Sequence, residues 1–420
     1  MRRPWIGLSL LIRILAIAPK NLNYFNVRSF LMCLALLGAL PLMVARGAIP
    51  PLPLMNGTLS GVLHLDASAP ALAWRMALRP ANAGALDLEF SVEGQDAHLD
   101  VQAHLDPATG EGTWQIVKCR LDLASWSAAL TENVPSLANW QFRGTLAIEG
   151  RGTIEQGIFD GTATLELADG GMENTKKKSS CDGLALRITL AGLQPLCTEP
   201  DQVLAVRTAD FGGVELHDTK ISFGLTPDGQ VHVGSLESSG LGGKFSALPF
   251  AFALKQPSIT WVARARRIDL AQLRDVVDPE HLKINQAQGH VSGKLTVHLD
   301  HGNLTVGQSS LVLPKGELAQ VILQPSPGLF SRILYTNKKI RVAYPGFAQI
   351  ELGKMPLVMK TFRIRFYPDG EQGNRTVLIQ LEGGSTDPRF AAPLSLDLYI
   401  NGPVQELLHG AYAMSRQLQQ

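Results

Sequence analysis

From residue 59 onward, apolar and polar residues alternate along this chain with a period of two. Residues 97–105 show the pattern clearly, with Ala97, Leu99, Val101, Ala103 and Leu105 separated by polar residues. The same alternation recurs at 162–167, 294–299, 362–366, 377–381 and 394–400. Period-two patterning is typical of strands with one apolar face. The sequence therefore predicts a mainly β protein.

Turn signals separate these strands and predict how they connect. Residues 226–229 and 367–370 both contain Pro-Asp-Gly, which favours a tight chain reversal. Strands spaced about every 10 to 14 residues by such turns indicate an antiparallel meander. Roughly 20 strands in series, each about 4.8 Å from the next, predict an elongated sheet about 95 Å long.

One unit occurs twice, which favours a repeated architecture over a single closed globule. Arg120-Leu121-Asp122-Leu123-Ala124 recurs as Arg267-Ile268-Asp269-Leu270-Ala271. Short helices are predicted after each copy, at 121–130 and 270–277, and also at 329–334 and 404–418. Asp122 and Asp269 are placed to cap the first two; alternatively, each pairs with its neighbouring arginine in a site for a charged headgroup.

The N-terminus has the features of an export signal. An uncharged apolar run at 30–44 follows the basic residues Arg2, Arg3, Arg13, Lys20 and Arg28. Its length suits either a membrane anchor or a signal peptide cleaved near 45–47. We therefore expect three regions: 1–48 as anchor or signal, 49–265 as a first β repeat region, and 266–420 as a C-terminal β region.

Composition and cysteine usage narrow the possible functions. A net charge of +1 gives no signal for nucleic acid. The 45% hydrophobic and 18% charged residues suit a long apolar sheet face. Cys181 and Cys197 bracket one predicted strand, so a disulfide between them is possible in an oxidising compartment. The ten histidines are scattered and no HExxH, GxSxG or Walker loop occurs, so we expect no metal, no cofactor, no catalytic residues and no enzyme.

The C-terminal part resembles a known family. The residues that carry the resemblance are 267–273, 289–297, 300–304, 362–370, 381–383, 393–398 and 407–408. They are similar to the YdbH-like group of AsmA-type envelope proteins, also labelled a dicarboxylate-transport domain. The resemblance covers about the last 180 residues, with weaker similarity back to Arg120.

The resemblance implies a curled, groove-forming sheet with a function in lipid transport. Such a protein is held in the inner membrane by one N-terminal span, with its bulk in the periplasm; signal cleavage would leave it periplasmic. It would convey phospholipids between inner and outer membranes along an apolar groove. Candidate groove-lining residues are Leu99, Val101, Leu165, Leu167, Leu295, Val297, Phe362, Ile364, Leu394, Leu396 and Leu398.

Several alternatives remain open at this point. The same apolar residues also suit the closed core of a sandwich, and Arg363 and Arg365 suit either phosphate contacts or an ordinary charged surface. A second possible function is that of an assembly factor for outer-membrane biogenesis, which acts through an outer-membrane or periplasmic protein partner. A protein associated with dicarboxylate transport follows from the family label, although one membrane span cannot build a solute pathway.

Overall fold

The computed structural model describes most of the chain after residue 55. The described residues are 56–63, 71–133, 139–155, 158–174, 179–211, 214–254, 258–276, 284–300, 303–328, 345–367, 375–385, 387 and 394–401. The predicted anchor at 1–48, the turn at 368–370 and the helices at 329–334 and 404–418 lie outside them. Within these ranges no helix is long and apolar enough to span a bilayer.

All 23 described strands belong to one antiparallel sheet. The first twelve strands are β1 (Gly57–Leu63), β2 (Leu72–Pro80), β3 (Leu86–Glu93), β4 (Ala97–Asp106), β5 (Glu111–Asp122), β6 (Trp140–Glu155), β7 (Ile158–Asn174), β8 (Ser179–Leu193), β9 (Leu196–Thr198), β10 (Gln202–Phe211), β11 (Glu215–Leu225) and β12 (Gln230–Gly240). The other strands are β13 (Gly243–Ala247), β14 (Phe250–Ala253), β15 (Ser258–Asp269), β16 (Ile284–Gln288), β17 (His290–Asp300), β18 (Asn303–Val306), β19 (Ser309–Val312), β20 (Ala319–Leu323), β21 (Leu357–Phe366), β22 (Arg375–Gly384) and β23 (Leu394–Asn401). The predicted fold class, a large open antiparallel β sheet, is confirmed.

Neighbouring strands in the sheet are close in sequence, as a meander requires. Each strand from β1 to β8 pairs with the next, and β8 then pairs with β10. The predicted turn at 226–229 joins β11 to β12, and the Gly229 N–H donates to the Thr226 carbonyl at 2.9 Å. The boundary predicted between the regions 49–265 and 266–420 falls within β15. The sheet continues through this strand without interruption.

The sheet has fewer lateral positions than strands because some short strands pair with different parts of the same neighbour and share one position. For example, β13 and β14 both pair with β12, and β18 and β19 both pair with β17. About 18 positions remain, which at 4.8 Å spacing gives a path of about 80 Å across the sheet. The sheet is therefore shorter than the 95 Å expected from the sequence.

Two of the three α-helices in the described residues follow the repeated unit, as predicted. Helix α1 (Leu123–Asn133) follows β5 and α2 (Leu270–Val276) follows β15. The Asp122 carboxylate accepts the Ala124 N–H at 2.8 Å, and Asp269 accepts the Ala271 N–H at 2.9 Å. Both aspartates thus cap the helix that follows. Helix α3 (Pro345–Glu351) was not predicted.

Buried apolar side chains form three clusters along the sheet. The first lies on β2–β6 around Leu88, Phe90 and Trp114, together with Trp126 of α1. The second extends from β6 to β17 and includes Ile259 and Trp261. The third covers β15–β23 and the Ile350 side chain of α3. The core is thus distributed along the sheet rather than gathered at one centre.

Glycines allow Trp114 to lie flat on its neighbouring strands. A Cβ on Gly150 would meet the Trp114 ring at 3.2 Å, and a Cβ on Gly152 would overlap the Asp160 carbonyl oxygen. The Trp114 indole N–H donates to that oxygen at 3.1 Å. The Trp114 ring is buried in the first cluster, and the lack of side chains at Gly150 and Gly152 leaves room for this packing.

The possible Cys181–Cys197 disulfide is not formed, because both cysteines are free. Cys181 lies near the start of β8 and pairs in register with Met172, whereas Cys197 of β9 pairs with Gly192 near the end of β8. Eleven extended residues separate those two positions, about 36 Å. A disulfide requires Cα atoms within about 7 Å.

Candidate functional site

The strand register joins apolar residues of successive strands into one continuous face. Paired residues of antiparallel strands point to the same side of a sheet, so each register partner extends the face by one strand. One row of partners consists of Met76, Phe90, Val101, Ile116, Gly150, Ala163 and Leu190. A second consists of Leu121, Leu146, Leu167, Leu186, Leu204, Ile221, Leu236, Ala247, Ala263 and Leu295.

A third row carries this face to the C-terminal strands. It consists of Ala265, Gly293, Leu311, Ile364 and Ile379. The three rows together reach from β2 to β22. We call this surface the apolar face.

The predicted groove-lining residues on β4, β7, β17 and β21 belong to the apolar face. Leu99, Val101, Leu165, Leu167, Leu295, Val297, Phe362, Ile364 and Leu394 all have apolar or glycine register partners. Leu396 and Leu398 pair in register with Leu381 and Ile379.

Burial divides these residues into two groups that the sequence did not distinguish. Val101, Val297 and Leu394 are buried inside the clusters, and Val297 is only 1% exposed. Leu99, Leu165, Leu167, Leu295, Phe362 and Ile364 are half-buried. The first group therefore holds the fold together. The second group leaves some apolar surface accessible, and all of its members except Leu165 also pack against a cluster.

The accessible part of the apolar face is clearest between the first and second clusters. Leu146, Ile148 and Leu165 are half-buried and belong to neither cluster. Ile148 lies opposite Leu165 in register, and Leu165 lies opposite Ile188. We call Leu146, Ile148 and Leu165 the central strip. Contiguous accessible apolar surface of this kind makes the central strip a candidate binding site for an apolar partner.

The opposite face of the sheet is polar and held by charged pairs. Asp182 accepts hydrogen bonds from Arg143 at 2.7 Å and Arg207 at 3.2 Å, which lowers the pKa of its carboxyl group. The His104 ring lies 2.7 Å from the Asp87 carboxylate. This face is suited to contact with water or charged groups, so the sheet is amphipathic through its thickness.

The headgroup interpretation of the repeated Arg-Asp unit finds no support in the site geometry. Asp122 and Asp269 both accept helix N–H groups. Arg267 donates instead to Glu317 at 2.8 Å. In the portion of the chain that is described, no three His, Cys, Asp or Glu side chains form a group able to hold a metal ion.

A comparison with known families bears on this amphipathic sheet. A family model described as "YdbH-like: Intermembrane phospholipid transport protein YdbH" matches residues 49–311, more than half of the chain. The chain is a member of the YdbH-like family. No curated protein and no solved structure matches it.

The matched part of this YdbH-like chain contains the central strip. It begins before β1 and ends within β19, so it includes the stretch 267–304 that carried the resemblance, whereas 362–408 lies beyond it. The family description names phospholipids and makes no reference to dicarboxylates. The register-linked face and the differences in burial along it were not visible in the sequence, because alternation alone does not fix which strands pair.

Proposed function

We propose that this YdbH-like protein conveys phospholipids between inner and outer membranes by shielding their acyl chains on the apolar face. The observation that carries the proposal is the unbroken register of apolar residues from β2 to β22. Half-buried apolar residues recur on most strands of this face, so an acyl chain can contact it at many points and need not be fully exposed to water as it moves. The polar headgroup stays in solvent, and no catalytic group is needed.

The energetics support transient rather than permanent binding. Burying one methylene group gains about 0.8 kcal/mol, so an acyl chain of about 16 carbons covered on one side gains on the order of 6 kcal/mol. Binding of this size holds a lipid out of water. Because neighbouring strands offer similar surface, the lipid can shift from one strand to the next with little change in free energy.

The central strip is the proposed point of entry onto the apolar face. Its three side chains are accessible, whereas Val101 and Val297 on either side are buried. The proposal includes anchoring in the inner membrane through the segment at 1–48, with the sheet in the periplasm. It follows that a charge in the strip blocks loading, while a charge in the buried clusters unfolds the sheet.

A charge substitution in the central strip tests the proposal. The full chain is purified in mild detergent as wild type, Leu165→Arg and Thr164→Arg, and bound phospholipid per protein is measured by mass spectrometry. Thr164 is the matched control because it lies opposite Glu149 and Thr189 on the polar face. We expect Leu165→Arg to lower bound phospholipid at least five-fold and Thr164→Arg to leave it unchanged. Equal lipid content in all three folded proteins would overturn the proposal.

A further inference from the structure

The polar face carries a concentration of positive charge on its later strands. Six basic side chains lie on β13, β15, β17 and β21: Lys244, Arg264, Arg266, Lys294, Arg363 and Arg365. The five strand positions from β13 to β21, including β19, extend over about 19 Å. We call these six residues the basic patch.

The register places like charges directly against each other within the basic patch. Lys244 lies opposite Arg266, and Arg264 lies opposite Lys294. Like charges directly opposite on neighbouring strands destabilise a sheet. Arg365 continues the row of Arg264 and Lys294, since it lies opposite Ser310, the partner of Lys294. The fold thus brings cations together where repulsion opposes it.

No ion pair found among the described residues offsets this repulsion. The ion pairs and hydrogen bonds found there include none of the six side chains. The nearest acidic groups lie at the edges of the patch. Glu237 lies opposite Ser246, two residues along β13 from Lys244, and Glu382 lies opposite Thr361, two residues along β21 from Arg363. Asp397 accepts from Gln380 at 3.3 Å, and Asp275 bonds to Arg274.

One open cleft reaches the edge of the basic patch. The cleft is lined by Lys244, Arg266 and Gln272 as well as Glu215. Glu215 lies 3.8 Å from the His217 ring. Among the described residues, the six cations therefore outnumber the acids beside them, and this surplus of positive charge suits an anionic partner.

We infer that the basic patch docks this protein onto the surface of an anionic phospholipid bilayer. Clusters of lysine and arginine bind anionic leaflets through the surface potential, without a specific pocket. A chain of the phospholipid-transport family must meet a bilayer, which favours a membrane over an acidic protein as the partner. The inference depends on the polar face only and does not require that acyl chains bind the apolar face.

Vesicle binding with matched charge variants tests this inference. The full chain is partitioned onto phosphatidylglycerol-containing vesicles and onto neutral phosphatidylcholine vesicles at low salt. The patch variant is Lys244→Gln, Arg264→Gln, Arg266→Gln and Lys294→Gln. The control variant, Arg75→Gln, Lys118→Gln, Arg151→Gln and Arg187→Gln, removes the same charge from exposed positions of earlier strands.

The expected result is a large loss confined to the patch variant. Each basic residue near an anionic surface strengthens binding about five-fold, so the preference for anionic vesicles should fall at least about 50-fold. In the control variant, the preference for anionic vesicles should fall by less than a tenth of this factor. The patch variant should melt no lower than wild type because repulsion between its basic side chains is removed. Equal losses in both variants would overturn the inference.

Two further measurements distinguish bilayer docking from binding of an acidic protein and from phospholipid loading. Polyglutamate that binds the patch more tightly than the vesicles at equal charge would indicate an acidic protein partner instead and would refute membrane docking. The Leu165→Arg variant should bind anionic vesicles as wild type does. A failure of phospholipid loading with intact vesicle docking would therefore contradict the proposed function and leave this inference standing.

Discussion

Ile148 and Leu165 lie directly opposite each other on β6 and β7, half-buried, between two clusters that contain neither residue. The clusters on both sides bury their side chains almost completely. A sheet that sealed its whole apolar face would have no reason to leave this pair accessible. Under the proposed function, this pair is where the apolar face serves binding rather than stability.

The division between buried and accessible apolar residues predicts unequal effects of the same substitution. Ile154 is 1% exposed in the first cluster, whereas Ile158, close by on the paired strand, is 52% exposed. Ile154→Ala should lower the free energy of unfolding by about 2–5 kcal/mol, because it leaves a cavity. Ile158→Ala should cost less than about 1 kcal/mol. Urea unfolding followed by circular dichroism measures both, and similar midpoints would contradict the assigned core.

Gly152 should tolerate no side chain, because its missing Cβ leaves room for the paired strand. An added methyl group would overlap the Asp160 carbonyl oxygen and the Gly161 Cα. We expect Gly152→Ala to lower the free energy of unfolding by about 1–3 kcal/mol through a forced backbone shift. Gly57→Ala is the control, since no atom lies within 4 Å of that position. Thermal melts of the two variants that coincide would show that β6 and β7 are not so closely paired.

Asp182 predicts a pH-dependent contribution to stability. Its hydrogen bonds with Arg143 and Arg207 lower its pKa, so the ionised form is favoured in the folded state. Its contribution is present above the unfolded pKa of about 3.9 and is lost as pH falls through the lower, folded pKa. The melting temperature of Asp182→Asn should therefore differ from wild type at pH 6 and converge with it in strong acid. A difference that is constant across this range would refute the pairing.

The strands and caps were predictable from the sequence because their signals are local. Period-two alternation at 97–105 and the Pro-Asp-Gly turn at 226–229 need no knowledge of distant residues. Asp122 and Asp269 likewise cap helices that begin one residue later. Local chemistry was enough to predict these elements.

The site itself required the register, which the sequence does not contain. Leu165 and Val297 are both apolar residues in alternating strands, yet one is half-buried and the other 1% exposed. Of the basic patch, the sequence singled out only Arg363 and Arg365, because Arg264 and Lys294 are 30 residues apart and meet only through β15–β17 pairing. The disulfide prediction failed because bracketing a strand places two cysteines at its opposite ends.

The free Cys181 thiol is expected to react far more slowly in the folded chain than in the unfolded chain. Burial raises the pKa of the Cys181 thiol to about 11. At pH 8 its thiolate fraction is then roughly 200-fold lower than that of an ordinary cysteine with a pKa of about 8.5. Maleimide labelling with peptide mass mapping should find Cys181 protected in the folded chain and labelled after unfolding without reductant. A requirement for reductant would show instead that Cys181 is oxidised.

Photocrosslinking on one strand tests the central claim most directly. A photoreactive amino acid is placed at Leu165 on the apolar face or at Thr164 on the polar face, and the purified full-length protein is irradiated and analysed by mass spectrometry. Acyl-chain binding on the apolar face predicts phospholipid adducts at position 165 and none at 164. Adducts at both positions, or at neither, would contradict it.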